Sequence, residues 1–255
     1  MSKVIFSNVN YFGNAGDYWS SPLHYYNFSN IDYEHMHFLG FNDNPVKDKI
    51  VVIGGGGLII TKTNYLNQIL ESVVENNKVI FWGIGSNTSC APYYEILSHP
   101  NVLLAGVRDI QMNLTQDYIP CVSCKNILFD KKRTESGGIG LIEHPDYPIN
   151  IPDLPKINNS SKIEEILDFI FDKSVIISST FHGVYWSQLM NKKVLYFNDT
   201  NELNSKFLNL KHRIPICNAQ DYKEKIYNLS NVTGLLEESR NLNDNFYRKL
   251  LSILN

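Results

Sequence analysis

Along the chain, short runs of β-branched and aromatic residues alternate with segments in which apolar residues recur every three or four positions. That alternation is the mark of βα units feeding a parallel sheet. Five strand runs are predicted in the first half: Val4 to Phe6, Tyr33 to Phe38, Ile50 to Ile53, Val79 to Trp82 and Val102 to Ala105. Between them, Leu66, Ile69, Leu70 and Val73 fall at i, i+3, i+4 and i+7, so Tyr65 to Val74 is expected as an amphipathic helix. The second half predicts a helix at Ile163 to Phe171, a buried strand at Val175 to Ser178, a helix from about Gly183 to Met190 and a strand at Val194 to Phe197. Tyr222 to Leu229 and Leu235 to Leu254 follow as helices, the last long and charged on one side. From 131 to 161 the chain turns to Lys, Gly, Pro, Asn and Ser, broken only by the strand-like Gly140 to Glu143.

The fold class expected is therefore α/β, with two Rossmann-like halves and a cleft between them. Residues 1–130 form one half, 131–161 a joint, and 162–255 a second half with a returning C-terminal helix.

Composition narrows the partners. A chain of 255 residues with 43% hydrophobic residues can bury a substantial core, and a net charge of -3 supplies no positive field for nucleic acid. The start, MSKVIFSNVN, goes straight into a strand-like run, and no segment reaches the roughly 18 apolar residues of a spanning helix, so a cytoplasmic location is expected. Of the four cysteines, only Cys121 and Cys124 form a close pair, and neither a second pair nor spaced histidines accompany them. No metal is expected, and the pair is read as packing or cleft lining rather than redox chemistry.

The sharpest local signal is Val51-Val52-Ile53-Gly54-Gly55-Gly56-Gly57, an apolar strand running into four glycines. Such a turn tolerates φ > 0 and lets an anion approach backbone N–H groups closely, although tight packing alone would also require it. It matches neither a Walker loop nor a dinucleotide fingerprint. A second turn is expected at Gly83-Ile84-Gly85-Ser86-Asn87, where Gly85 and Ser86 could meet an oxyanion.

Four further groups carry candidate chemistry. Asn14 and Asp17 follow the first strand, Asp17 either as a helix cap or as a general base. Arg108 and Asp109 end another strand ahead of a helix expected to reach Met112 and Leu114; the guanidinium could hold a carboxylate or phosphate, or simply pair with a neighbour. Ser179, Thr180, His182 and Gly183 form a strand-to-helix junction, which puts an imidazole beside backbone donors. Tyr18, Trp19, Tyr25, Tyr185 and Trp186 could stack on sugar faces, or belong to the core.

Taken in order, Asn14-x-Gly16-Asp17, Gly54 to Gly57, Gly83-x-Gly85, Val107-Arg108-Asp109, Pro120-Cys121-Val122-Ser123-Cys124 and Ser179-x-Phe181-His182-Gly183 resemble the polysaccharide pyruvyl transferase family. The resemblance implies a GT-B-like fold with the active site between the halves. It also implies transfer of the enolpyruvyl group of phosphoenolpyruvate onto two hydroxyls of a sugar, giving a cyclic ketal and no cofactor beyond the donor.

Under that resemblance the catalytic pair is His182, as acid or phosphate-activating group, and Asp17, as base. Asn14, the amides of Gly55, Gly56 and Gly57, Gly85, Ser86, Arg108, Ser179, Thr180, Gly183 and Lys206 would bind substrate. Partners would be a small anionic donor and a carbohydrate acceptor; an acceptor on a lipid-linked glycan would bring peripheral contact with a membrane. Family members often carry an arginine two residues before this histidine, where this chain has Thr180. A nucleotide-sugar glycosyltransferase in the same frame and a non-catalytic carbohydrate-binding relative are the alternatives.

Overall fold

A computed structural model describes residues 3–9, 13–88, 92–110, 116–131, 134–199, 205–208 and 210–254. Two parallel sheets organise them in a mixed, Rossmann-like α/β fold. The first is built from β1 (Val4–Asn8), β2 (Tyr33–His37), β3 (Ile50–Ile53), β4 (Gly56–Ile59), β5 (Lys78–Ser86), β6 (Val102–Val107) and β7 (Asp117–Tyr118). Its order is β2-β1-β3-β5-β6-β7, with β4 also on β5. β1 and β3 are nearly continuous apolar runs because parallel strands inside a sheet are covered on both faces. β2, at the edge, stays half-exposed.

The four glycines, expected as a turn after the strand, are partly strand themselves. β3 and β4 lie in succession along one edge of the long strand β5, with Gly54–Gly55 as the jog between them. The Gly54 amide donates to Ser7 O at 2.7 Å, so it cannot also cradle a ligand. Gly56 takes φ +116°, a conformation that excludes a side chain. The helix α3 (Tyr65–Asn76) begins only after Asn64, whose side chain accepts from Leu66 N. It buries Ile69, Leu70, Val73 and Val74 on the sheet.

The second expected turn is likewise strand. β5 runs on to Ser86, and Gly83 is a bulge within it at φ +67°, where the register against β6 slips.

The second sheet has the order β12-β11-β10-β8-β9, all parallel, from β8 (Ile139–Glu143), β9 (Lys156–Asn158), β10 (Val175–Ser178), β11 (Lys193–Phe197) and β12 (Ile216–Cys217). The stretch 131–161, expected as a joint, thus supplies two of its strands. Gly140 lets a helix lie close on β8: a methyl group on it would fall 2.7 Å from Phe169 Cε1 of α4 (Ile163–Asp172), so the helix packs directly on backbone. α4 buries Ile163, Ile166, Leu167 and Ile170, one clean helical stripe. α5 (Phe181–Leu189) is buried on every side.

The C-terminal helix α8 (Leu235–Leu254) links the two cores. Leu235 packs with Tyr185 and Trp186 of α5, whereas Phe246 and Leu250 pack with Phe6 and Trp82 on the first sheet. Between them Asn243, fully buried, accepts from Trp82 Nε1 at 2.7 Å and donates to Ser239 O and Pro120 O. Leaving such an amide unbonded in the interior costs about 1–3 kcal/mol per group, so this spot locks the helix register. No helix among the described residues is long and apolar enough to cross a membrane.

Candidate functional site

The short helix α1 (Ala15–Tyr18) leaves the first sheet after β1 and docks on the second: Ala15 N donates to Asn159 O at 2.8 Å, just past β9. Asn14 is its cap, accepting from Gly16 N at 3.1 Å and Asp17 N at 3.4 Å. Asp17 is therefore not the cap. Its carboxylate is instead held by Asn14 Nδ2 at 2.8 Å, a contact that fixes one oxygen and sets the direction of the other. Asn8 Nδ2 and Ser20 Oγ both donate to the Asp17 carbonyl, anchoring the turn to the end of β1.

His182 is the second residue of α5 and 6% exposed. Its ring lies flat against α1, where a methyl group on Gly16 would reach 2.8 Å from Cε1 and overlap Nδ1. The other ring nitrogen, Nε2, is 3.3 Å from Cys121 Sγ. Burial raises the Cys121 thiol pKa, the Ser123 contacts and Arg108 draw it back, and nearby Asp17 raises it further. Asp17, Cys121 and His182 thus meet where α1 and α5 face each other.

Arg108 comes to the same place from the end of β6. It is 4% exposed, its guanidinium carbon stands 3.7 Å over the Phe181 ring, and its Nε has no hydrogen-bond partner. No ion pair among the described residues includes it. One glycine makes room for it: a methyl group on Gly85 would fall 2.7 Å from Arg108 Cγ, whereas one on Gly57 would meet Asn87 Cβ at 2.5 Å and stand at an ordinary 3.5 Å from Arg108 Nη2. Gly85 thus shapes the arginine's slot, and Gly57 the place of Asn87.

Asp109 does not serve as the partner of Arg108 by hydrogen bond. It is 2% exposed and turns to Ser86 N at 2.5 Å and Tyr94 Oη at 2.7 Å. Burial raises its carboxyl above the usual 3.8, with Arg108 the largest opposing influence. The Ser86 amide is consequently committed to structure. Arg108, Tyr118, Cys121, Phe181, Gln188 and Lys211 line a small pocket beside this cluster.

The remaining predicted residues fall elsewhere. Thr180 caps α5, its hydroxyl accepting from Gly183 N at 3.0 Å, and Ser179 Oγ accepts from His144 N at 3.3 Å. Gly183 lets α5 approach Ser178 Oγ and Ile142. Gly55 packs on Gly83 O. Lys206 belongs to α6 (Ser205–Leu208), which lies against β5, but its side chain lies outside the described residues. So do Cys90, Met112 and Leu114, and with the last two the helix expected after Asp109. Tyr185 and Trp186 are core, whereas Tyr18, Trp19 and Tyr25 form a half-exposed aromatic cluster with His24 beside Asp17. No group of three or more potential metal ligands is gathered among the described residues.

Sequence reasoning missed Cys121 as a neighbour of the histidine and Lys211 as a pocket residue. The Cys-Val-Ser-Cys spacing carries no hint that its first thiol meets an imidazole 61 residues away.

Known proteins add the fold and nothing more specific. No protein-family model matches the chain, and no curated protein matches it. Among solved structures it is similar to a functionally uncharacterized protein from Klebsiella pneumoniae, at 13% identity and a TM-score of 0.50, over 89% of this chain and 87% of that one. The class they define together is a Rossmann-like α/β protein.

Proposed function

We propose that the chain is a pyruvyl transferase, moving the enolpyruvyl group of phosphoenolpyruvate onto two hydroxyls of a carbohydrate in a GT-B-like cleft. One observation carries the reading: a buried guanidinium, Arg108, whose Nε has no hydrogen-bond partner, beside a histidine, His182, that faces a carboxylate-bearing turn at Asp17. A buried cation with an unsatisfied donor is costly, and an anionic donor substrate is the natural group to complete it. Arg108 also supplies a cation next to the α5 N-terminus, where Thr180 offers none.

In this reading the donor's methylene carbon takes a proton from the His182 side. The carbon bearing the phosphate is then captured by one acceptor hydroxyl, whose proton passes to Asp17. Phosphate leaves, taking up the proton of the second hydroxyl as that oxygen closes the ketal, and Arg108 holds its charge. The half-exposed ring cluster of Tyr18, Trp19 and His24 next to Asp17 suits a sugar face.

The test is incubation with phosphoenolpyruvate and a panel of oligosaccharides. Release of phosphate together with a new ketal methyl signal by NMR supports the reading, and His182→Ala abolishes both. Turnover of nucleotide sugars instead would make the chain a glycosyltransferase. Glycan binding with no turnover of any donor would make it a binding protein.

A further inference from the structure

A one-way chain of donors ends on His182. Trp186 Nε1 donates to Ser123 Oγ at 2.9 Å, and Ser123 Oγ donates to Cys121 Sγ at 3.2 Å. An indole N–H can only donate, so the serine hydroxyl, having accepted from it, points its single proton at the sulfur. The thiol in turn has one proton to place. Cys121 is fully buried, and among the described residues His182 Nε2, at 3.3 Å, is the one acceptor within its reach.

We infer that Cys121 is a positioning residue: its thiol donates to Nε2 and fixes His182 as the neutral tautomer with the proton on Nδ1, the nitrogen that faces Gly16 and the Asp17 turn. The choice of tautomer is set by the bond made at the other nitrogen, as in any imidazole held from behind. Burial keeps the thiol in its protonated, donating form. Gly16 fits the same account, because any side chain there would push the imidazole away from the sulfur.

The consequence deepens the proposed transferase by naming the working edge of its histidine, and it rests on that reading only for its chemistry. On this tautomer His182 turns an N–H rather than a lone pair towards Gly16 and the Asp17 turn. That N–H can hold a donor oxygen by a hydrogen bond while the ring is neutral, and it can hand its proton to carbon only once Nε2 has taken one up. A histidine of the opposite tautomer would have to take a proton before doing either.

Long-range proton–nitrogen NMR on the histidine-labelled full chain tests this without any substrate, so its result stands apart from that of the turnover assay. His182 is assigned by the signals lost in His182→Gln. The expected spectrum has a pyrrole-type Nδ1 and a pyridine-type Nε2. Cys121→Ser, which keeps a donor, retains this pattern. Cys121→Ala shifts Nε2 towards the pyrrole type as the ring loses its lock. A protonated Nε2 in the wild-type neutral ring would overturn the inference, as would an unchanged spectrum in folded Cys121→Ala. If the turnover assay succeeds, Cys121→Ala lowers kcat with KM little changed, and Cys121→Ser restores most of it; a loss confined to KM would contradict the role.

Discussion

Arg108 and Gly85 share one volume: the arginine side chain crosses the face of β5 where any residue but glycine would place its Cβ within 2.7 Å of Arg108 Cγ. The side chain of Arg108 by itself requires a glycine there. Gly85→Ala is therefore expected to destabilise the fold by about 1–3 kcal/mol through overpacking and to displace Arg108. Gly40→Ala is the control, since a methyl there meets Met36 Cγ at an ordinary 3.4 Å and sits in a helix. Chemical denaturation of the two variants checks the contrast.

Arg108→Met behaves in the opposite way. It replaces a buried cation whose Nε lacks a hydrogen bond by an apolar side chain of similar length, removing the desolvation cost of the charge at the expense of its contact with the Phe181 ring and its attraction to Asp109. The ligand-free variant is expected to melt at or above the wild-type Tm. A marked fall would show that the arginine is chiefly a structural element.

Asp109 gives a pH dependence whose sign is fixed. Its folded-state carboxyl lies above 3.8 because it is buried, so its contribution to stability is complete below 3.8 and is lost as pH rises through the folded value. Asp109→Asn removes that loss while keeping an acceptor for Ser86 N and Tyr94 Oη. Relative to Asp109→Asn, wild-type Tm is expected to fall as pH is raised from about 4 towards neutrality. A rising difference would mean that Arg108 outweighs burial.

The thiols are expected to be silent. Burial raises Cys121 and pushes Cys124 up to about 12, so neither presents a thiolate near neutral pH. Iodoacetamide at pH 7.5 should leave both unlabelled in the native chain and label both in denaturant, read by peptide mass spectrometry. Rapid native labelling of Cys121 would show that the cleft opens to solvent around His182.

Helices were the legible part of this fold. Ile163, Ile166, Leu167 and Ile170 announce α4 because an amphipathic stripe needs no knowledge of what it packs against. The glycines were legible as constraint but not as purpose. Gly54 and Gly55 mark a jog between collinear strands, Gly83 a bulge, Gly57 the close approach of Asn87, and Gly85 the slot of Arg108. A glycine in sequence says that a side chain is forbidden, and only the neighbours say why. β9 was hidden for a related reason, since Lys156–Asn158 lacks the apolar alternation of an interior strand. At the site, Asp17, Arg108 and His182 stood out as charged or titratable residues at strand ends. Cys121 did not, because its role depends on a contact across the two sheets.

The most direct test of the account is isothermal titration of phosphoenolpyruvate into wild-type protein and Arg108→Met. The account predicts saturable binding to the wild type, weakened at least roughly tenfold in Arg108→Met, the equivalent of losing a charge-assisted contact of about 1.4 kcal/mol or more. Equal binding by both proteins, or none by a folded wild type, would contradict it.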